Sequence, residues 1–199
     1  MPAKQTRTAV TEKELRAAED RFIGAWGQMG SAWGISRTMA EVHALLYITG
    51  EAQCTDGVME RLQISRGNAS MSLRALLDWG IVTRTSKRGD RKEYFRAESD
   101  VWAMIRAIVR ERMKREVEPA LASLYEIRDM TSDEAVRARA TREGQGGPSE
   151  NAEPARIDEF HERMDEMIRF FTTLEGLSQR FVGPTGRGLQ AAASLLVRA

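Results

Sequence analysis

One cysteine, Cys54, and two histidines, His43 and His161, are all the chain offers for thiol or imidazole chemistry. A single thiol closes no internal disulfide and suits a reducing compartment. No Cys-x-x-Cys or His-x-x-x-His pair occurs, so neither a zinc site nor any other cofactor is expected. No apolar run approaches the ~18 residues that cross a bilayer. Met1 to Val10 lack the apolar stretch of a secretory leader, which gives a cytoplasmic reading with no membrane partner. The Gly-x-Ser-x-Gly elbow, the phosphate-binding Gly-x-x-x-x-Gly-Lys loop and the Gly-x-Gly-x-x-Gly turn are all missing. With no constellation to carry catalysis, an enzyme is not expected.

What is present describes a water-soluble, helix-rich protein. The 199 residues, 42% hydrophobic and 30% charged, suit one domain with an attached extension. The net charge is only +1, but its distribution is uneven: from Arg61 to Glu98 nine Lys and Arg face four Asp and Glu, a local +5 that leaves −4 for the rest. Basic charge gathered in one stretch points to a polyanionic partner.

Periodicity divides the chain. After a flexible tail over 1–10, Leu15, Phe22, Trp26, Met29 and Trp33 mark one stripe of a helix over 11–33. A second helix fits Arg37 to Ile48, between a Ser36 N-cap and a Gly50 stop, with Met39, Val42, Leu45 and Leu46 inward. Thr55 is expected to cap a short helix from Asp56 to Leu62, with Asp56 in the favourable first turn. Ser65 should cap a further helix to about Trp79, burying Ala69, Leu73, Leu76 and Leu77 and turning Gly67, Asn68, Met71 and Arg74 outward, with Ser70 on the flank. The period then shortens: Ile81–Thr85 and Tyr94–Ala97 read as strands joined by a turn with a basic tip. Segment 100–142 reads as linker helices, with Pro119 kinking one or starting another, and 143–154 as a flexible loop. The last region, 155–199, holds a long helix with a stripe from Ile157 to Phe181, then a tail in which Gly188 to Ala199 forms a short helix.

Helix, short helix, tight turn, helix and basic hairpin are together the layout of a winged helix-turn-helix over 34–99. The fold class is therefore mainly α with a small β-hairpin wing, flanked by N- and C-terminal dimerisation helices. A major groove admits one helix, and base edges are read by its N-terminal residues. Ser65, Arg66, Gly67, Asn68, Ser70, Met71 and Arg74 are the candidates on that helix, and Lys87, Arg88, Arg91 and Lys92 those on the wing. Asn68 has the donor and acceptor for adenine, Arg74 suits guanine or phosphate, and the tip arginines suit a narrow minor groove. The bland alternative is a small helical core with a solvated basic loop. In a different class stands a winged-helix interaction module that does not read DNA.

The residues Ile64-Ser65-Arg66-Gly67-Asn68-Ala69-Ser70-Met71-Ser72-Leu73-Arg74, Leu77-x-Trp79-Gly80-Ile81-Val82 and Lys87-Arg88-Gly89-Asp90-Arg91-Lys92-x-Tyr94 resemble the GbsR branch of the MarR-type transcriptional regulators. The resemblance runs from the first helix to about Met130. It implies a homodimeric winged-helix repressor or activator on double-stranded DNA at an imperfect palindrome. It also implies a small-molecule effector, since some members respond to choline or related quaternary ammonium osmolytes. Trp26, Trp33, Tyr47 and Trp102 are the aromatic candidates for such a ligand, and the alternative is that they are ordinary core and seam residues.

The two terminal stripes have no obvious partner inside one wing domain, which makes Leu15, Phe22, Phe160, Met164, Phe171 and Leu174 candidates for a dimer seam. Their alternative is an intramolecular core. Cys54 reads as a small buried hydrophobe or a redox switch, His43 as a satisfied structural histidine and His161 as a solvated face residue.

Overall fold

The computed structural model describes residues 10–132 and 154–183. Internal contacts divide the chain into two compact units that part between Ala107 and Ile108. The expected tail over 1–10 (Val10 apart), the loop over 143–154 (Pro154 apart) and the terminal helix after Gly188 lie outside the described residues.

In the first unit, α1 (Glu12–Ala32) starts on a capping box. The Thr11 hydroxyl accepts from the Glu14 amide at 3.3 Å, and the Glu14 carboxylate accepts from the Thr11 amide at 2.8 Å. The side of α1 that packs on α2 takes in only part of the expected stripe: Phe22 meets Tyr47 and Trp26 meets His43. Ile23, Gly27 and Gly30 are its buried residues, while Leu15 and Trp33 remain 49% and 51% exposed. Two glycines one turn apart let the helix axes approach: a Cβ on Gly30 would lie 2.6 Å from the Ala40 Cβ, and one on Gly27 would lie 2.6 Å from the Glu41 Cγ.

α2 (Arg37–Thr49) has the expected boundaries to within a residue. Ser36 caps it, and Gly50 ends it at φ 65°, a left-handed conformation that glycine adopts freely. Met39, Val42, Leu45 and Leu46 are buried as expected. With Val58, Leu73, Leu76 and Val82 they form the centre of the unit's core. Each such side chain stabilises the fold by about 1.5–3 kcal/mol.

A two-residue strand, β1 (Gln53–Cys54), precedes α3 (Thr55–Leu62). It pairs with β3, so the wing is a three-stranded antiparallel sheet in the order β1-β3-β2 rather than a bare hairpin. α3 also differs from expectation at its start, because Cys54 is the N-cap residue and no side chain caps the helix. Thr55 is already inside the first turn.

α4 (Arg66–Asp78), β2 (Val82–Thr85) and β3 (Tyr94–Ala97) follow, and α5 (Val101–Arg112) straddles the boundary between the units. The order from α2 to β3 is that of a winged helix-turn-helix.

In the second unit a π-helical segment (Met113–Val117) runs without a break into α6 (Glu118–Met130), and Pro119, which has no amide hydrogen to give to the preceding turn, lies just past that wider turn. α6 packs against α7 (Pro154–Val182). Arg128 Nε meets Asp165 Oδ1 at 2.8 Å, and Thr131 Oγ1 meets His161 Nε2 at 2.8 Å. His161 is thus a half-buried partner of α6's end rather than a solvated face residue.

Candidate nucleic-acid interface

The turn between α3 and α4 is set by Gln63, whose φ of 53° is the one left-handed non-glycine among the described residues. Its side-chain amide donates to the Glu60 carbonyl at 2.7 Å. Ser65 then caps α4 as expected, accepting from the Asn68 amide at 3.2 Å. Ala69, Ser72, Leu73 and Leu76 face inward and are buried, with Leu77 half-buried beside them. Gly67, Asn68, Met71 and Arg74 are exposed on the opposite side, Met71 by 66%, and Ser70 lies half-buried between the faces.

Gly67 serves no close packing among the described residues. A Cβ there would meet only the Ser65 hydroxyl, at 3.9 Å. Glycine inside a helix costs up to about 1 kcal/mol relative to alanine, and here no close contact among the described residues offsets it. A bare backbone at this position leaves room for something outside the protein.

The wing lies beside that face. A hollow of about 200 Å³ separates α4 from the strands, lined by residues that include Ser70, Arg74, Arg84 and Glu93. Gly89, at φ 85°, turns the wing tip, and the Asp90 amide closes the turn onto the Lys87 carbonyl at 3.1 Å. Asp90 then organises the tip: one carboxylate oxygen accepts from the Lys92 amide at 2.9 Å and the other from the Tyr94 hydroxyl at 2.7 Å. The Tyr94 hydrogen bond, with the Lys92 amide behind it, holds the Asp90 carboxyl below the usual carboxylate range. The same bond raises the Tyr94 phenol. Lys87 Nζ sits 4.4 Å above the Tyr94 ring centroid.

Asp56, on α3, joins the two parts of the candidate interface. Its Oδ1 takes Arg66 Nη2 at 2.6 Å and its Oδ2 takes Lys92 Nζ at 3.1 Å. The Lys92 hydrogen bond and charge, followed by the Arg66 charge, keep the Asp56 carboxyl below its ordinary value. The same pairing raises Lys92. Sequence reading placed Asp56 only in a favourable helix turn; its two partners are 10 and 36 residues away, separations that carry no local signal. Arg84 is likewise paired, with Glu93 at 2.9 Å. Arg74, Arg88 and Arg91 are exposed and make no ion pair among the described residues.

The four aromatic candidates for a ligand site do not form one cluster. Trp26 and Tyr47 are linked through Phe22 and His43, with ring centroids 5.7 Å (Phe22–Trp26), 6.2 Å (Trp26–His43), 6.1 Å (His43–Tyr47) and 6.4 Å (Phe22–Tyr47) apart. No ring contact among the described residues joins Trp33 or Trp102 to them. Those two are 51% and 38% exposed. His43 is only 2% exposed and its Nε2 has no hydrogen-bond partner among the described residues, so it is buried but not satisfied there. Burial pushes its pKa down to about 4.

Cys54 is half-buried opposite Tyr94 in the β1–β3 pair. Of the seam candidates on α1, Phe22 is occupied by Trp26 and Tyr47, which leaves Leu15 as the exposed one. On α7, Phe160 is 36% exposed, and Met164, Phe171 and Leu174 are half-buried. Met167, Phe170 and Leu177, outside the expected set, are 50%, 60% and 57% exposed.

Among the described residues no group of His, Cys, Asp and Glu could hold a metal ion, and no helix is long and apolar enough to cross a membrane. Helix-turn-helix, exposed α4 face and basic wing together define the fold of a winged-helix protein of the kind found in transcriptional regulators. No family model matches the chain. It is similar to the HTH-type transcriptional repressor GbsR of Bacillus subtilis (strain 168), 27% identical over 112 residues that make up 56% of this chain and 62% of that protein. The matched stretch spans less than two thirds of that relative's length. A crystal structure of a transcriptional regulator superposes with a TM-score of 0.51 at 22% identity, covering 85% of this chain and 99% of the other, and shows the same fold.

Proposed function

We propose that the protein is a DNA-binding transcriptional regulator that reads a palindromic operator as a homodimer. The observation that carries this reading is the outward face of α4. Gly67, Asn68, Met71 and Arg74 are exposed there, contribute nothing to the core and stand beside a wing rich in arginine and lysine. An N-terminal Gly-Asn pair on an exposed helix permits close backbone approach and a bidentate amide contact to adenine. Arg88 and Arg91, free of ion pairs among the described residues, suit phosphate or a narrow minor groove. The similarity to a named repressor supports the same direction of action.

The dimer rests on the second unit. At 100° per residue Met167, Phe170 and Leu177 fall on one side of the α7 apolar stripe, which stays exposed, while Met164, Ile168 and Phe171 fall on the half-buried side. α6 adds exposed Tyr125, Ile127 and Met130. A stripe wider than one packed helix covers is the pattern of a helix shared between two copies, and a two-fold protein matches a palindrome.

A small-molecule effector enters this reading through the resemblance alone. Trp26 and Tyr47 already engage Phe22 and His43, so the cluster packs like core rather than like an open cage. Calorimetry with choline and glycine betaine tests it: heat and a raised melting temperature support those effectors, and their absence at millimolar ligand removes them.

The function as a whole is tested by selecting genomic fragments on the purified protein. Enrichment of an imperfect palindrome supports a regulator. Retention without any shared sequence, or no retention, overturns it in favour of a winged-helix interaction module.

A further inference from the structure

We propose that Asp56 is a specificity latch, a carboxylate that holds Arg66 and Lys92 in the free protein and yields them only to the phosphates of a fitting duplex. The inference rests on the DNA-binding reading and deepens it, since it assigns a role to an acidic residue beside the candidate interface.

Asp56 is a single acidic side chain placed between two cations of the candidate interface, one from the first turn of α4 and one from the wing. Both carboxylate oxygens are used, one per cation. All three side chains are solvent-facing: Asp56 is 47%, Arg66 69% and Lys92 55% exposed. Exposed ion pairs of this kind exchange partners at little cost. A carboxylate and a phosphate compete for the same donors, and a phosphate on a duplex has the advantage of counterion release when it is neutralised.

Arg74, Arg88 and Arg91 have no such restraint among the described residues. They supply the first, sequence-independent attraction. Drawn in onto Asp56, Arg66 and Lys92 join only where α4 sits deeply enough to bring phosphates to them; released from it, both side chains can extend to a more distant backbone. A loosely seated duplex leaves them on Asp56. The latch thereby withholds two phosphate contacts from non-specific complexes while the fitting complex keeps them.

The test compares the wild type, Asp56→Asn and Asp56→Glu on the selected operator and on a random duplex of equal length, across a salt series. With the carboxylate charge gone, Arg66 and Lys92 reach phosphate on any sequence. The salt slope of Asp56→Asn on the random duplex should therefore steepen by about 1.8, at ~0.9 per added contact. Its affinity for that duplex at low salt should rise, and its additional loss over a fourfold rise in salt should be about tenfold. The slope on the operator should stay at the wild-type value, so the ratio of specific to random affinity falls. Asp56→Glu, which keeps the charge, should restore the wild-type slopes. Adding Lys92→Gln to Asp56→Asn should remove about half of the extra slope.

A merely structural Asp56 gives a different result: weaker operator binding and an unchanged slope on random DNA, which overturns the latch. A wild type that selects no DNA overturns the regulator reading itself, whereas a wild type that selects a palindrome alongside an unaltered Asp56→Asn slope overturns the latch alone.

Discussion

Gly30 of α1 and Ala40 of α2 approach so closely that a methyl group on Gly30 would stand 2.6 Å from the Ala40 Cβ. Two effects of opposite sign act on Gly30→Ala. Helix propensity favours alanine by about 1 kcal/mol. Overpacking opposes it by about 1–3 kcal/mol, toward the upper end here because the clash is with a Cβ that has no rotamer to escape into. Overpacking wins, and Gly30→Ala should lower the urea midpoint. Gly24, on the same helix, has nothing within 4 Å of its would-be Cβ. Gly24→Ala should raise the midpoint by up to the ~1 kcal/mol propensity gain. Equal rises in both variants would show that α1 and α2 separate freely.

That contact also shows what the sequence could and could not disclose. α2 was legible because its signals are local: a serine cap, a glycine stop and apolar residues at helical spacing. The turn, α4 and the wing strands were legible for the same reason. The packed side of α1 was legible only in part, because a periodicity count weighs Phe22 and Trp26, which do meet α2, and gives no weight to Gly27 and Gly30, whose value lies in having no side chain. β1 exists only through its pairing with β3, some 40 residues on, and two residues carry no period. The bridge from Arg66 to Lys92 through Asp56 is illegible on the same ground: charge type is read from sequence, and partners are set by the fold.

His43 should make stability depend on mild acid. Its folded-state pKa is depressed from 6.5 to about 4 because burial disfavours the cation. Between those values the unfolded chain binds the proton and the folded chain does not. The contribution is complete above 6.5, falls as pH drops through the window and stops changing below about 4, a total of about 3 kcal/mol. His43→Phe keeps an aromatic ring between Trp26 and Tyr47 and removes the unpartnered Nε2. At pH 7 its stability should lie within about 1 kcal/mol of wild type. Denaturant melts at pH 7 and pH 4.5 decide the matter: the variant should lose less stability on acidification, and parallel losses would place the sensitivity elsewhere.

Asn68 and Arg91 should divide the work on DNA. Asn68 is exposed in the first turn of α4, and Asn68→Ala should relax one position of each half-site, with a loss of about 1–3 kcal/mol on the preferred sequence. Arg91, in the wing tip, should act through charge. Arg91→Ala should weaken all sequences alike and reduce the salt slope by about one for a single phosphate contact. Binding-site selection on both variants separates the roles. An unchanged sequence logo for Asn68→Ala would mean that another face of α4 enters the groove.

The dimer is tested most cleanly at Phe170, which is 60% exposed, rather than at its half-buried neighbour Phe171, 5.4 Å away edge-on. A carboxylate at Phe171 would disturb the protomer as well as any assembly. A carboxylate at Phe170 leaves the packed side of α7 intact and places an unpaired charge only where a second copy would cover it. Phe170→Asp should therefore keep the helical circular dichroism of the wild type while light scattering at micromolar concentration moves from dimer to monomer. Operator affinity should drop roughly tenfold or more, because the second half-site is then no longer bound at the high effective concentration that a linked partner provides. A wild type that scatters as a monomer would remove the shared-helix reading of the α7 stripe, and the exposed Met167, Phe170 and Leu177 would then need a different partner.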